Sequence, residues 1–502
     1  MIPPEQAGQP SSTVRRVDQF RGQHPRQPLH PAERRLLAVL GVHLCFLPWA
    51  LGTMHPWSQA VSLGLALLGF WQALQPRAHE VESGWSGGPF RMVMWPRLLR
   101  FPIFWIGLVL LLYVTVQALN PSWRYASNAT SWWLVRVADV TWLPTSVDVP
   151  FARFNAWRQV IIYGATWLVV CSAWLGITRR RSCHLLLGVL TGNAVALGLW
   201  LVFQRATGDT HLPWPLTMLT TRDNLTAGFV YKNHAGAYLA LMTFTAITLA
   251  TWGYDHGART LKKSTPAAVL ILTAFFLSAA VLFTFSRGAS LTLGGVLIIL
   301  TGWLLLRRRF RPTVVSTDSR VTLVLSVIFA GFALYVGRSI DLSAVYNRFD
   351  ALVENRSNKE SVAWRLQARS AGLAMLADHG WRGVGAGGFR HLFPEYVRRY
   401  PDIYDGGKLF WEHVHNDWLE LPIELGAAGM AILLAGVGCG LALLFRRRAL
   451  WHGAMVPVLF GCLGTLAHAW IDFPFQCPAI LVTWCLLLTL VLRSLEFESG
   501  SR

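Results

Sequence analysis

Twelve runs of mostly apolar residues limit what this chain can fold into: 36–51, 57–74, 101–119, 157–177, 183–203, 233–252, 267–285, 289–306, 321–337, 418–445, 451–469 and 475–492. About 20 such residues cross the hydrocarbon core of a bilayer, and a helix satisfies its own backbone hydrogen bonds there. The first two runs are short, and the pair flanking Arg287 is nearly continuous. Of 502 residues, 53% are hydrophobic and only 14% charged, with 24 Trp, which excludes an ordinary soluble domain. The expected fold class is an all-α polytopic membrane protein with about 12 transmembrane helices, its partner the lipid bilayer.

Charge tests the count. The formal net charge of +19 would suggest nucleic acid in a soluble chain. Here the basic residues fall in clusters between apolar runs, so they read as orientation signals and no nucleic-acid partner is expected. With the N-terminus inside, the inside segments carry Arg34-Arg35, then Arg77, Arg91, Arg97 and Arg100, then Arg179-Arg180-Arg181. Arg259, Lys262 and Lys263 follow, then Arg307-Arg308-Arg309 with Arg311, and Arg446-Arg447-Arg448, while Arg493 marks the inside end of the last run. One missed or spurious span in the middle would break this alternation.

The chain therefore divides into a tail at 1–32, spans one to nine within 33–337, an outer loop at 338–417, spans ten to twelve within 418–492, and a second inside tail at 493–502. The first tail is rich in Pro, Gln and Arg and lacks the layout of a cleavable signal peptide, so the first apolar helix is expected to act as an uncleaved insertion signal. The outside segments are 52–56, 120–156, 204–232, 286–288, 338–417 and 470–474. Segment 120–156 holds Trp123, Trp132, Trp133 and Trp142, as expected of a piece lying at the lipid interface. Segment 338–417 is too long for a simple connection, and loops of that kind are usually functional. It contains a helical stretch at 361–379 and the turn Gly383-Val384-Gly385-Ala386-Gly387-Gly388, read as a flexible turn because no strand–helix unit surrounds it.

The stretch from His413 to Gly429 is where polar sequence enters an apolar helix. Asp417 followed by Glu420 reads as a capping box, which places His415 just outside a helix N-terminus. The field of that terminus favours an anion and disfavours a protonated imidazole, so His415 can accept a proton near neutral pH. The plain alternative is a helix cap with an interfacial histidine. Glu420 and Glu424 share one face, while Gly426 and Gly429 would admit a close neighbouring helix.

Outside-facing positive charge runs against the orientation bias and is therefore informative. Arg287 lies in the minimal turn Phe285-Ser286-Arg287-Gly288, where a guanidinium either snorkels as an anchor or clamps an anion at a cavity mouth. Arg365 and Arg369 share one face of the outer-loop helix, and Arg382 and Arg390 extend its basic character; each could also be a solvated face. Arg205 ends the fifth span, and Lys232, Asn233 and His234 open the sixth, as anion or sugar contacts or as a cap with interfacial bases. With Asn416 and Glu424 these are the candidate substrate contacts. The cysteines show no metal-type spacing, the first outer loop has no carboxylate, and Asp402 and Asp405 read as turn chemistry, so the expectation is a metal-independent mechanism without cofactors.

Several motifs occur in a familiar order. His415-Asn416, nine residues, then Gly426-x-x-Gly429 resembles the signature of bacterial O-antigen ligases and related O-antigen or exopolysaccharide polymerases. Gly228-Phe229-Val230-Tyr231-Lys232-Asn233-His234, Ser286-Arg287-Gly288-Ala289, and Trp364-Arg365 ahead of Gly383–Gly387 are similar to pieces of the same superfamily. The resemblance covers roughly 200–430. It implies a GT-C-like membrane glycosyltransferase of the bacterial inner membrane, inverting and metal-independent, with its active site facing the periplasm. It implies an undecaprenyl-diphosphate-linked glycan as donor and a glycan acceptor, lipid A core or a growing chain. It also implies that the catalytic groups are Arg287, Arg365 and His415. The rival class is a transporter or flippase for an anionic lipid-linked sugar, which would use the same arginines as a track. No internal symmetry of the kind such transporters show is visible in the sequence.

Overall fold

The computed structural model describes residues 29–79, 90–219, 225–259, 266–310, 356–407, 409–446 and 455–499. The expected run at 321–337 lies outside these residues, as do most of the first tail and residues 338–355 of the outer loop.

The described chain is mostly helical. In order come α1 (Pro31–Trp49), α2 (Pro56–Leu74), the two-stranded hairpin β1 (Arg77–His79) and β2 (Phe90–Met92), α3 (Trp95–Leu99) and α4 (Pro102–Leu119). Next are β3 (Pro121–Ser127), β4 (Trp132–Arg136), β5 (Ser146–Asp148), α5 (Ala156–Gly176), α6 (Arg180–Thr207), α7 (Lys232–Arg259), α8 (Ala267–Phe283) and α9 (Arg287–Phe310). The outer lobe adds α10 (Arg356–His379), α11 (Phe389–Val397) and α12 (Pro401–Tyr404), and α13 (Asp417–Arg446), α14 (Val456–His468) and α15 (Pro478–Ser499) complete the chain. Seven of these, α4, α5, α6, α7, α9, α13 and α15, are long and apolar enough to cross a membrane, and α8 and α14 are shorter apolar helices. With α1 and α2, every expected run among the described residues coincides with a helix.

Proline starts several of them. Pro31, Pro56, Pro102 and Pro478 open α1, α2, α4 and α15. A proline there has its φ pre-set and lacks an N–H that would have no intrahelical partner. The Asn155 side chain caps α5 by accepting from Arg158 N at 3.0 Å. Within the bundle α7 and α15 are enclosed, with 83% and 78% of their apolar windows buried, whereas α4 and α13 keep most of theirs open at 17% and 6%. An apolar surface left open on helices of this length is what lipid would cover.

The segments that charge alternation assigns to one side gather at one end. Leu51 bridges to Phe229, and Gly52 O accepts from Ala479 N at 3.2 Å. Gly288 packs on His468 and Ile471, and Gly385 on Thr145 and Ser146. At the opposite end of α1 and α15, Arg77 pairs with Glu33 at 3.0 Å and Arg493 Nε donates to Ile177 O at 3.1 Å.

Two expectations about the outer side are corrected. Segment 120–156 is not simply an interfacial piece: β3 pairs antiparallel with β4 and parallel with β5. Its Trp123 and Tyr125 pack on a core of Ala368, Ala371, Met375, Phe389, Phe393 and Ile423, so they face protein, while Trp142 stays exposed. The glycine turn is packed, not loose. Gly383, Gly385 and Gly387 take φ of 74°, 90° and 75°. A Cβ on Gly383 would collide with Glu424 O, and one on Gly385 would lie 2.5 Å from Ser146 Cα.

That turn answers a break in α13. Gly426 has φ 67° and ψ −177°, a conformation open to glycine, so the expected continuous span at 418–445 is interrupted. The carbonyls freed by the break find partners. Val384 N donates to Ile423 O at 2.9 Å and Gly385 N to Glu424 O at 3.0 Å. Gln117 Nε2 also donates to Glu424 O at 3.0 Å, and the Tyr113 hydroxyl donates to Leu425 O. Non-helical backbone at membrane depth is tolerated where protein groups satisfy it in this way. Gly426 therefore admits the glycine turn, not a neighbouring helix; Gly429 is the one that meets a helix, 2.7 Å from the Tyr113 ring of α4 if given a Cβ.

Candidate functional site

The short connection from α14 to α15, residues 469–477, is the hub of the candidate site. Every element that carries an expected catalytic group touches it.

His415 approaches from the entry to α13. Its backbone sits at φ 56°, a left-handed conformation that is strained for a residue with a Cβ. Its Nδ1 lies 3.4 Å from Asp472 Oδ1, a long contact of the kind catalytic groups show before substrate binds. The ring meets Phe473 edge-on at 5.0 Å and Trp411 at 5.9 Å. A carboxylate at Nδ1 favours the tautomer that keeps the proton there and leaves Nε2 as the acceptor.

Asp472 is buried but well supplied with donors. Its Oδ1 accepts from Phe473 N at 3.0 Å, its Oδ2 accepts from the Asn233 amide, and His468 Nε2 stands 3.9 Å away. Burial alone would raise the Asp472 carboxyl; the hydrogen bond and charge of His415, with His468 and Arg365, outweigh it and hold the group at about 2. Asp472 is therefore a fixed negative charge at neutral pH.

The arginines come from two other directions. Arg365 on α10 donates from Nη1 to Ile471 O at 3.3 Å, and Arg369 one turn on donates to Trp470 O at 2.7 Å. Both guanidinium groups thus border the residues just before Asp472. Arg287 is the first residue of α9, half-buried, with no hydrogen bond or ion pair engaging its guanidinium among the described residues. Its neighbour Gly288 abuts the hub: a Cβ there would lie 2.8 Å from His468 Nε2 and 3.3 Å from Ile471 Cδ1. Arg205 braces the turn that presents Arg287, with Nε donating to Phe283 O at 2.9 Å and its guanidinium 4.5 Å from the Phe285 ring. Phe285 itself is at φ 55°.

The start of α7 closes the far wall. Asn233 Nδ2 donates to Asp472 and, at 2.6 Å, to Tyr231 Oη; His234 Nε2 lies 3.2 Å from Phe473 O. Tyr231 stacks on the Phe473 ring at 5.2 Å. Lys232 is exposed at the head of the helix.

The remaining candidates fall elsewhere. Arg382 is taken up by Asp139 and by Leu143 O, which ties the turn after α10 to the loop before β5 and away from the hub. Glu424 faces the glycine turn, accepting from Phe389 N at 3.3 Å. Asn416 is buried, its side-chain oxygen has no hydrogen-bond partner among the described residues, and its backbone carbonyl accepts from Glu420 N at 2.9 Å. The expected capping box between Asp417 and Glu420 is not formed, because both side chains are drawn to other partners. Glu420 reaches back to Val414 N at 2.9 Å, and Asp417 accepts from Phe475 N, on the hub, at 2.9 Å.

Sequence reasoning missed Asp472, His468 and Phe473. One signal was present: Asp472 is the only acidic residue between Glu424 and Glu496, at the end of an apolar run and one turn beyond His468. A lone carboxylate at a span end is a site candidate on cost alone.

Residues 272–434 match the family model described as O-Antigen ligase (Wzy_C). No curated protein matches the chain. The matched stretch holds Arg287, Arg365 and His415 and stops before Asp472. It supports the O-antigen ligase and polymerase superfamily, and with it a glycosyltransferase-like enzyme that works on a lipid-linked glycan donor and a glycan acceptor in a multi-pass membrane setting.

Proposed function

We propose that this chain, which carries an O-antigen ligase domain over 272–434, moves a glycan from undecaprenyl diphosphate to a sugar hydroxyl at the outer face of the bacterial inner membrane. The observation that carries the reading is the pairing of His415 with Asp472 on a loop that also receives Arg365 and packs beside Arg287.

The neutral Nε2 of His415 takes the proton of the acceptor hydroxyl. That oxygen attacks the anomeric carbon of the donor as the bond from this carbon to the phosphate oxygen breaks. The new glycosidic bond has inverted configuration, undecaprenyl diphosphate leaves with the bonding pair, and the proton stays on His415 as an imidazolium facing the Asp472 carboxylate. Arg287 and Arg365 hold the diphosphate and offset its growing charge, the role otherwise given to a divalent cation in phosphate-leaving reactions. Asn233, His234, Arg369, Lys232 and Arg205 shape the wall around this centre. Arg382 and Glu424 are proposed to act at a distance, by fixing the outer lobe.

Purified protein with lipid-linked glycan and acceptor tests the reading. Wild type is expected to form a new glycosidic bond and release undecaprenyl diphosphate, and His415→Ala to lose about 10²- to 10⁴-fold in rate. Undiminished transfer by His415→Ala overturns the assignment, and transport of intact donor without bond formation favours a flippase.

A further inference from the structure

Residue 415 holds a left-handed backbone, uncommon for a residue with a Cβ. Something must over-determine it. The residues before it are held by a single side chain on the first turn of α13. Glu420 Oε2 accepts from Val414 N at 2.9 Å, and Glu420 Oε1 accepts from His413 Nδ1 at 2.6 Å and from Gln476 Nε2 at 3.3 Å. Three donors from two loops converge on one buried carboxylate. His413 itself is fixed from the other side, because Arg390 Nη2, which can only donate, stands 3.1 Å from its Nε2. That leaves one tautomer for His413, with its proton directed at Glu420. Burial first, then the Arg390 guanidinium, keeps this imidazole well below its ordinary value, so it is neutral. Its ring stacks on Phe473 at 4.2 Å, on the same phenyl ring whose edge His415 touches.

We infer that Glu420, acting with His413, is a positioning residue that sets the His415 imidazole against Asp472. The inference rests on the proposed function, since it assigns Glu420 an effect only through His415. Glu420→Gln separates it from a general structural role. A glutamine amide can still accept from Val414 N, but its NH₂ would then face the proton on His413, and Arg390 blocks the tautomer that could relieve the clash.

The experiment is a double-mutant cycle on full-length protein in detergent or nanodiscs, reading kcat, donor KM and binding of undecaprenyl diphosphate. Glu420→Gln is expected to lower kcat about 10²-fold, the cost of misplacing a reacting group by about an ångström, with donor KM and undecaprenyl diphosphate binding within about twofold. Introduced into His415→Ala, the same change is expected to cost less than about twofold, because the group it positions is gone. A wild-type kcat for Glu420→Gln, or an equal loss in both backgrounds, overturns the inference. Should Glu420→Gln not fold, His413→Asn replaces it; it leaves the Val414 bond intact, and the same non-additivity with His415→Ala is required of it. A His415→Ala protein that retains full activity overturns the proposed function instead, so the two failures are distinguishable.

Discussion

At one end of the bundle a buried carboxylate, Glu33, is saturated. Arg77 Nη1 donates to it at 3.0 Å, Thr178 N at 2.9 Å and Ser182 Oγ at 2.6 Å, with the Thr178 hydroxyl as a fourth donor. At the other end, the cluster around Asp472 is left open. His415 is strained, and among the described residues its Nε2 is not engaged, Arg287 is unpaired, and Asp417 Oδ1 and His468 Nε2 are buried without a hydrogen-bond partner. The helices α1 and α15 run between the two ends, so the same scaffold supports both. A closed ion pair fixes helix ends against each other. The open one leaves a carboxylate, an imidazole and a guanidinium side by side with hydrogen-bonding capacity to spare.

Removing one partner from the closed cluster should give the largest effect on folding. Glu33→Ala strands the Arg77 guanidinium in a buried site and is expected to cost about 3–5 kcal/mol, read as lost thermal stability in detergent, with turnover per folded molecule unchanged. A selective loss of turnover at full stability would break the comparison.

At the open end the sign reverses. Asp472→Asn is expected to lower kcat about 10²-fold or more, because the asparagine NH₂ can donate to His415 Nδ1 and select the tautomer that protonates Nε2. The same variant tests the linkage. A carboxyl held at about 2 when folded, against about 3.9 when unfolded, contributes stability that is complete above about pH 4 and lost as pH falls through 2. The expectation is that Asp472→Asn flattens stability between pH 4 and 2, and that wild-type activity changes between pH 5 and 8 do not come from Asp472.

The smallest effect sharpens the contrast. His415→Gly removes the imidazole at a position whose backbone suits glycine. Stability is expected to stay within about 1 kcal/mol of wild type while transfer is lost. A large drop in melting temperature would mean that the histidine is a structural element of the hub.

The sequence made the bundle legible because each helix announces itself locally. Apolar length, a leading proline and a basic flank are readable without knowing any partner, and α1, α2, α4 and α15 show all or most of these. Arg287 and Arg365 could be nominated because positive charge on the outer side is out of place, and His415 because it precedes a helix start; the family resemblance joined the three. Asp472 could not be assigned a role, because its meaning lies in contacts 57 residues away to His415 and 239 residues away to Asn233. The same limit explains the glycine turn and segment 120–156. Whether Gly383–Gly388 is loose or packed depends on the carbonyls released at Gly426, and whether Trp123 faces lipid or protein depends on α10 and α11 lying beneath it.

The interruption of α13 at Gly426 also settles which part of the molecule His415 belongs to mechanically. Residues 417–425 are bolted to 383–385 and to Tyr113 and Gln117, while Ala427 N turns instead to Trp381 O at 3.1 Å. The long lipid-facing arm that follows is a separate lever. The reacting group therefore rides on a short segment stitched to the glycine turn and to α4, and its placement is set by those bonds and not by the run of the arm beyond Gly426.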